Sequence, residues 1–161
     1  MTMELIWAPW RIGYIKGKKE KGCIFCRAKK NPQQNYVFLK GLYSMAMLNI
    51  YPYNNGHAMV FPLKHTDKLY LLDYKEVLDI FKLVNRSMKL LDRILKPQGY
   101  NLGINLSEIA GAGVKGHLHI HIVPRWKADT NFMPTVFSTK IISQSLDELY
   151  KTLLKNGKNS R

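Results

Sequence analysis

At 161 residues the chain has the length of one domain, and 46% hydrophobic residues suffice for a core. Two cysteines rule out a disulfide framework, and no run of about 18 apolar residues marks a membrane span. A net charge of +14 suits acidic ligands, but the lysines flank loops and helix ends without a zinc-finger array or aromatic RNA-binding signature. No specific nucleic-acid partner is expected, only loose adhesion at low salt.

The start, Met1 to Trp7, lacks the basic-then-apolar pattern of a signal peptide, and the protein reads as cytoplasmic. Residues 1–32 are expected to form an irregular N-terminal segment, with a short helix after Cys26. That segment holds both cysteines, in Cys23-Ile24-Phe25-Cys26. Two thiols at this spacing suit half of a tetrahedral zinc site, a redox pair, or two small buried apolar groups. No strand leads straight into the pair in the manner of a thioredoxin-like unit, which weighs against the redox reading. A zinc site needs further ligands, and His65 and His117 are the candidates.

Alternation and turn residues predict strands at 36–40, 44–49 and 57–62. His57 stands at the start of the third, a place where histidine is more often structural than catalytic. The best helix follows over 74–95. Val77, Phe81, Val84, Met88, Leu91 and Leu95 form its apolar stripe, Asp73 its N-cap with Glu76 three residues on, and Pro97 and Gly99 its end. Further strands are expected at 101–106 and 117–123. A second helix near 145–155 precedes a polar tail, 156–161, expected to be mobile. Strands in runs with one long helix make a single α+β domain with an antiparallel sheet.

Three of the five histidines fall within five residues: His117, His119 and His121. In a strand they share one face, while Leu118, Ile120 and Ile122 take the other and are buried. Imidazole changes charge near neutral pH, attacks electrophiles and binds metals. Two chemistries fit the triad. One is nucleophilic attack at phosphorus or an acyl carbon. The other is a catalytic three-histidine zinc. The loop before it carries Gly111, Gly113 and Gly116, which permit close backbone approach to a ligand, and Lys115 adds a cation. Such a loop can cradle a phosphate facing the imidazoles.

The run His117 to Val123 matches His-x-His-x-His followed by two apolar residues, and here the chain resembles the histidine-triad (HIT) family of nucleotide-binding proteins. The stretch Asn49 to Pro62 is similar to that family's strand–turn–strand. The segments Trp7-Ala8-Pro9-Trp10-Arg11, Val123-Pro124-Arg125-Trp126 and Asp129 to Pro134 resemble a microbial branch like diadenosine tetraphosphate phosphorylase. The resemblance implies a HIT-like fold, a homodimer, and cleavage of nucleoside polyphosphates at the α-phosphate through a nucleotidyl-histidine. His119 would attack, its other ring nitrogen holding a proton against a backbone carbonyl. His121 would contact the phosphate, with His117 completing the catalytic set. Asn49 matches the ribose-binding position, and Asn105, Gly113 and Lys115 are candidates for the phosphates. The resemblance also implies a structural zinc on Cys23, Cys26, His65 and His117. The acceptor stays open: phosphate makes a phosphorylase, water a hydrolase, a sugar phosphate a transferase. His121 stands where transferases tend to carry Gln, which argues mildly against the last. A nucleotide-binding module with incidental turnover is the non-enzymatic alternative.

Overall fold

The computed structural model describes residues 22–127, 129, 142 and 144–157. Its elements run α1 (Ile24–Lys30), β1 (Val37–Lys40), β2 (Ser44–Leu48), β3 (Ala58–Pro62), α2 (Tyr74–Leu95), β4 (Gly99–Ile104), β5 (Ile120–Arg125) and α3 (Leu146–Gly157). The five strands form one antiparallel sheet in the order β1-β2-β3-β5-β4. The expected α+β domain with one long helix and a C-terminal helix is what the chain builds. No helix of the described residues is long and apolar enough to cross a membrane.

Side-chain alternation divides the core in two. Leu48, Ala58, Val60, Leu118, Ile120 and Ile122 face α2 and α3 across one side of the sheet. Met45, Met47, Met59 and Phe61 take the other side, under Phe25 and Ala28 of α1. β2 and β3 are buried along their whole length because both faces are covered. β5 alternates instead, with Ile120 and Ile122 on the α2 side. Register places Met59 opposite His121 and Ala58 opposite Ile122, which turns His121 toward the α1 side.

Helix α2 begins as the sequence indicates. The Asp73 carboxylate accepts the Glu76 N–H at 2.8 Å, and the Glu76 carboxylate accepts the Asp73 N–H at 3.0 Å. The buried side keeps the expected stripe except at Phe81: Val84 and Leu91 are buried, and Val77, Met88 and Leu95 pack against the core. Ile80, Leu83, Val84, Ser87, Leu90 and Leu91 form the buried face, while Phe81 stays 49% exposed. A stripe through the paired positions 83–84 and 90–91 keeps both sheet and α3 in contact, and Phe81 lies on its far side.

Four boundaries also need correction. β4 runs from Gly99 to Ile104 rather than over 101–106, because its ladder with β5 already pairs Gly99 with Arg125. Cys23 caps α1 and Cys26 lies inside it, so the helix precedes Cys26 as well as following it. The ladder of β5 starts at Ile120 rather than His117, because Leu118 bonds to the chain beyond β3, its N–H donating to the Thr66 carbonyl at 2.7 Å. Asn156 and Gly157 belong to α3, with Gly157 against Leu39 and Leu90, so the tail expected from Asn156 is helical at its start. Residues 158–161, Trp7 to Arg11 and Thr130 to Pro134 lie outside the described residues.

Candidate functional site

The turn between β2 and β3 is the first part of the site. Gly56, at φ 74°, closes it; a Cβ there would run into Leu95 and Pro124. Asn49 N–H then bonds the His57 carbonyl at 2.9 Å, and His57 N–H the Asn54 carbonyl at 3.1 Å. His57 is 1% exposed. Its Nδ1 receives the Tyr53 N–H at 3.0 Å and lies 3.3 Å from the Asn49 side-chain amide. Two donors make Nδ1 the acceptor nitrogen, so Nε2 carries the proton. That Nε2–H points at Nδ1 of His121, 2.9 Å away. His121 therefore holds its own proton on Nε2.

The nucleophile candidate is oriented the opposite way. Nδ1–H of His119 donates to the His117 carbonyl at 2.9 Å, the kind of acceptor expected from the sequence. This leaves the lone pair on Nε2, which has no hydrogen-bond partner among the described residues. The rings of His119 and His121 lie 4.8 Å apart at 73°. Phe25 packs against His119 at 4.9 Å. Burial lowers the pKa of His119, and burial followed by the nearby His119 ring lowers that of His121 to about 4. Both imidazoles are neutral at pH 7. An unprotonated ring nitrogen and a ring N–H donor thus stand side by side.

His117 turns elsewhere. Its Nε2–H donates to the Pro62 carbonyl at 2.9 Å, and burial pushes its pKa down to about 4. Its Nδ1 faces Cys23 Sγ at 3.2 Å, Cys26 Sγ at 3.9 Å and His65 Nδ1 at 3.2 Å, while Cys26 Sγ and His65 Nδ1 are 3.2 Å apart. Gly116, at φ 76°, lets the chain pass against the His65 ring. All four ligand atoms lie within 4.8 Å of one another. A tetrahedral zinc, with bonds of about 2.3 Å to sulfur and about 2.0–2.1 Å to nitrogen, needs S···N of about 3.5 Å and N···N of about 3.3 Å. The two-thiol, two-imidazole cage fits. Burial and the adjacent Cys23 raise the Cys26 thiol pKa, a cost that a bound cation reverses by taking thiolates. His119 and His121 stand outside this cluster, so the triad does not gather as a three-histidine metal centre.

The other expected residues are placed less uniformly. Asn49 borders the His57–His121 pair, its Oδ1 accepting the Tyr51 N–H at 2.9 Å. Asn105 donates to the Gly111 carbonyl at 3.2 Å, and Lys115 pairs with Glu108 at 2.7 Å, both within the glycine loop. Gly113 is exposed, with open space where a Cβ would stand. Sequence reasoning missed the contact between His57 and His121. The signal lies in the β3–β5 register, which seats His57 beside His121 and which spacing along the chain does not contain.

The HIT domain model matches residues 30–128, and the chain belongs to the HIT family. It is similar to a protein of Mycobacterium tuberculosis named AP-4-A phosphorylase, 29% identical, covering 94% of this chain and 83% of that one. A bis(5'-nucleosyl)-tetraphosphatase (asymmetrical) of Schizosaccharomyces pombe is 32% identical over 68% of this chain and 59% of its own. Among solved structures, a hypothetical histidine triad nucleotide-binding protein from Sulfolobus tokodaii superposes with a TM-score of 0.67, at 28% identity, over 86% of this chain and 91% of that one. A zinc-bound histidine triad family protein from Mycobacterium smegmatis shares the fold, with a TM-score of 0.68 at 22% identity, over 86% and 94% of the two chains.

Proposed function

We propose that this protein cleaves dinucleoside polyphosphates at the α-phosphate through a nucleotide carried on His119, with inorganic phosphate as acceptor, so that diadenosine tetraphosphate yields ADP and ATP. The observation that carries the reading is the bond from His119 Nδ1–H to the His117 carbonyl, which leaves Nε2 as a fixed, neutral nucleophile. The likeness to AP-4-A phosphorylase over nearly the whole chain supports the acceptor.

In the first step His119 Nε2 bonds to the α-phosphorus and the bond to the bridging oxygen breaks. The polyphosphate leaves as an anion and needs no proton. His121 Nε2–H, held in that tautomer by His57, donates a hydrogen bond to the charge on the phosphoryl oxygens. In the second step a phosphate oxygen displaces His119 from phosphorus, its proton passing to solvent, and the imidazole is restored. Two displacements replace one difficult transfer. His117 takes no part in bond making; it holds His119 through its carbonyl and serves the metal cage through its ring. Asn49 is assigned to the ribose, and Asn105, Gly113 and Lys115 to the phosphates. A zinc on Cys23, Cys26, His65 and His117 would tie α1 to the triad segment and supply structure rather than chemistry.

The protein works as a homodimer in the cytoplasm. β4 is an edge strand with Leu102 and Ile104 exposed, a surface that pairing with a second copy would cover.

Product analysis with labelled phosphate tests the acceptor. Label in ADP supports phosphorolysis. AMP formed in phosphate-free buffer makes the protein a hydrolase, and tight binding without product makes it a binding module.

A further inference from the structure

Phe25, His119, His121 and Tyr53 form a row of rings. Phe25 lies 4.9 Å from His119, His119 4.8 Å from His121, and His121 5.8 Å from Tyr53, the last pair stacked at 28°. Phe25 is fully buried, whereas Tyr53 is 54% exposed. The row is closed at one end and open at the other. Tyr53 is doubly anchored: its backbone N–H bonds His57 Nδ1, and its ring packs on His57 at 4.5 Å. One face of the phenol ring is used by the imidazoles, and its hydroxyl makes no hydrogen bond among the described residues. The other face is a fixed aromatic surface.

We infer that Tyr53 is a specificity-determining residue that stacks the nucleobase of the departing half of the substrate. The inference rests on the proposed attack by His119. An in-line displacement drives the leaving group away from the nucleophile. The buried Phe25 closes the end of the row beyond His119, so bulk beyond the scissile bond extends past His121 toward Tyr53. An aromatic face held by its own backbone binds any base by its π surface, with little ordering cost. A leaving group that ends in a nucleoside is thereby favoured over one that ends in bare phosphate.

Diadenosine tetraphosphate and adenosine tetraphosphate test this, because both deliver the same nucleotide to His119 and differ in whether the departing triphosphate ends in a nucleoside. Dissociation constants for both are measured by calorimetry in a His119→Ala background, and kcat/KM with His119 intact. Tyr53→Phe should keep the preference for the dinucleotide. Tyr53→Ala and Tyr53→Leu should each lower it about tenfold, through diadenosine tetraphosphate alone. Tyr53→Leu keeps apolar packing on His57 and guards against a collapsed turn. Equal losses on both ligands, or an unchanged preference, overturn the inference. If neither ligand is turned over with His119 intact, the transfer reading fails, while the binding ratio still decides the stacking.

Discussion

The carbonyl of His117 accepts the Nδ1–H of His119 at 2.9 Å, while the ring of the same His117 faces Cys23 and His65 at 3.2 Å. One residue thus joins the candidate metal cage to the proposed nucleophile. A cation there would fix the His117 ring, and the His117 carbonyl fixes the tautomer of its neighbour.

Metal removal is expected to loosen both. Elemental analysis should find about one zinc per chain. Chelation or Cys26→Ser should lower the melting temperature by about 10 °C, the shift that roughly 3 kcal/mol makes in a domain of this size. Transfer should weaken without vanishing at temperatures where the chain stays folded. A metal that catalyses would instead abolish transfer in the folded apoprotein.

Replacing His57 tests the tautomer argument. His57→Ala removes the donor that keeps the His121 proton on Nε2. The expected loss in kcat is about tenfold to a hundredfold, with nucleotide affinity changed far less. Steady-state kinetics separate the two.

Acid should reveal the buried imidazoles. His121 titrates near pH 4 when folded against about 6.5 when unfolded, so between these values the unfolded chain binds the extra proton. Its contribution to stability is complete above pH 6.5 and is lost as pH falls toward 4. Urea midpoints should drop from pH 7 to pH 5, and His121→Gln should reduce that dependence in part, the buried His117 and His119 retaining the rest. The acid limb of kcat should likewise lie below pH 6.5.

The exposed edge of β4 predicts assembly. Light scattering should give twice the chain mass, and Leu102→Lys should shift the protein toward monomer by placing a charge in the paired edge.

Much of the site could be read from residue order because strand alternation is local. Spacing alone sends His119 and His121 to one face and Leu118, Ile120 and Ile122 to the other. The α2 cap was equally legible, since Asp73 and Glu76 satisfy each other within one turn. The role of His57 was not, because it depends on which strand lies beside which. Phe81 misled for a related reason: its apolar spacing matched the helix period, but the direction of the buried face is set by the sheet and α3. Cys23 and Cys26 give their spacing and a helix after Cys26, but not its start at Ile24, which depends on Phe25 packing against Phe61 of the sheet.

The covalent nucleotide on one imidazole can be trapped directly. The protein is mixed with diadenosine tetraphosphate without acceptor, quenched in base, which spares phosphorus–nitrogen bonds to histidine, and mapped by mass spectrometry. A nucleotidyl group on His119, absent in His119→Gly together with at least about a thousandfold of the turnover, is the predicted result. An adduct on His121 or His57, or full turnover in His119→Gly, contradicts it.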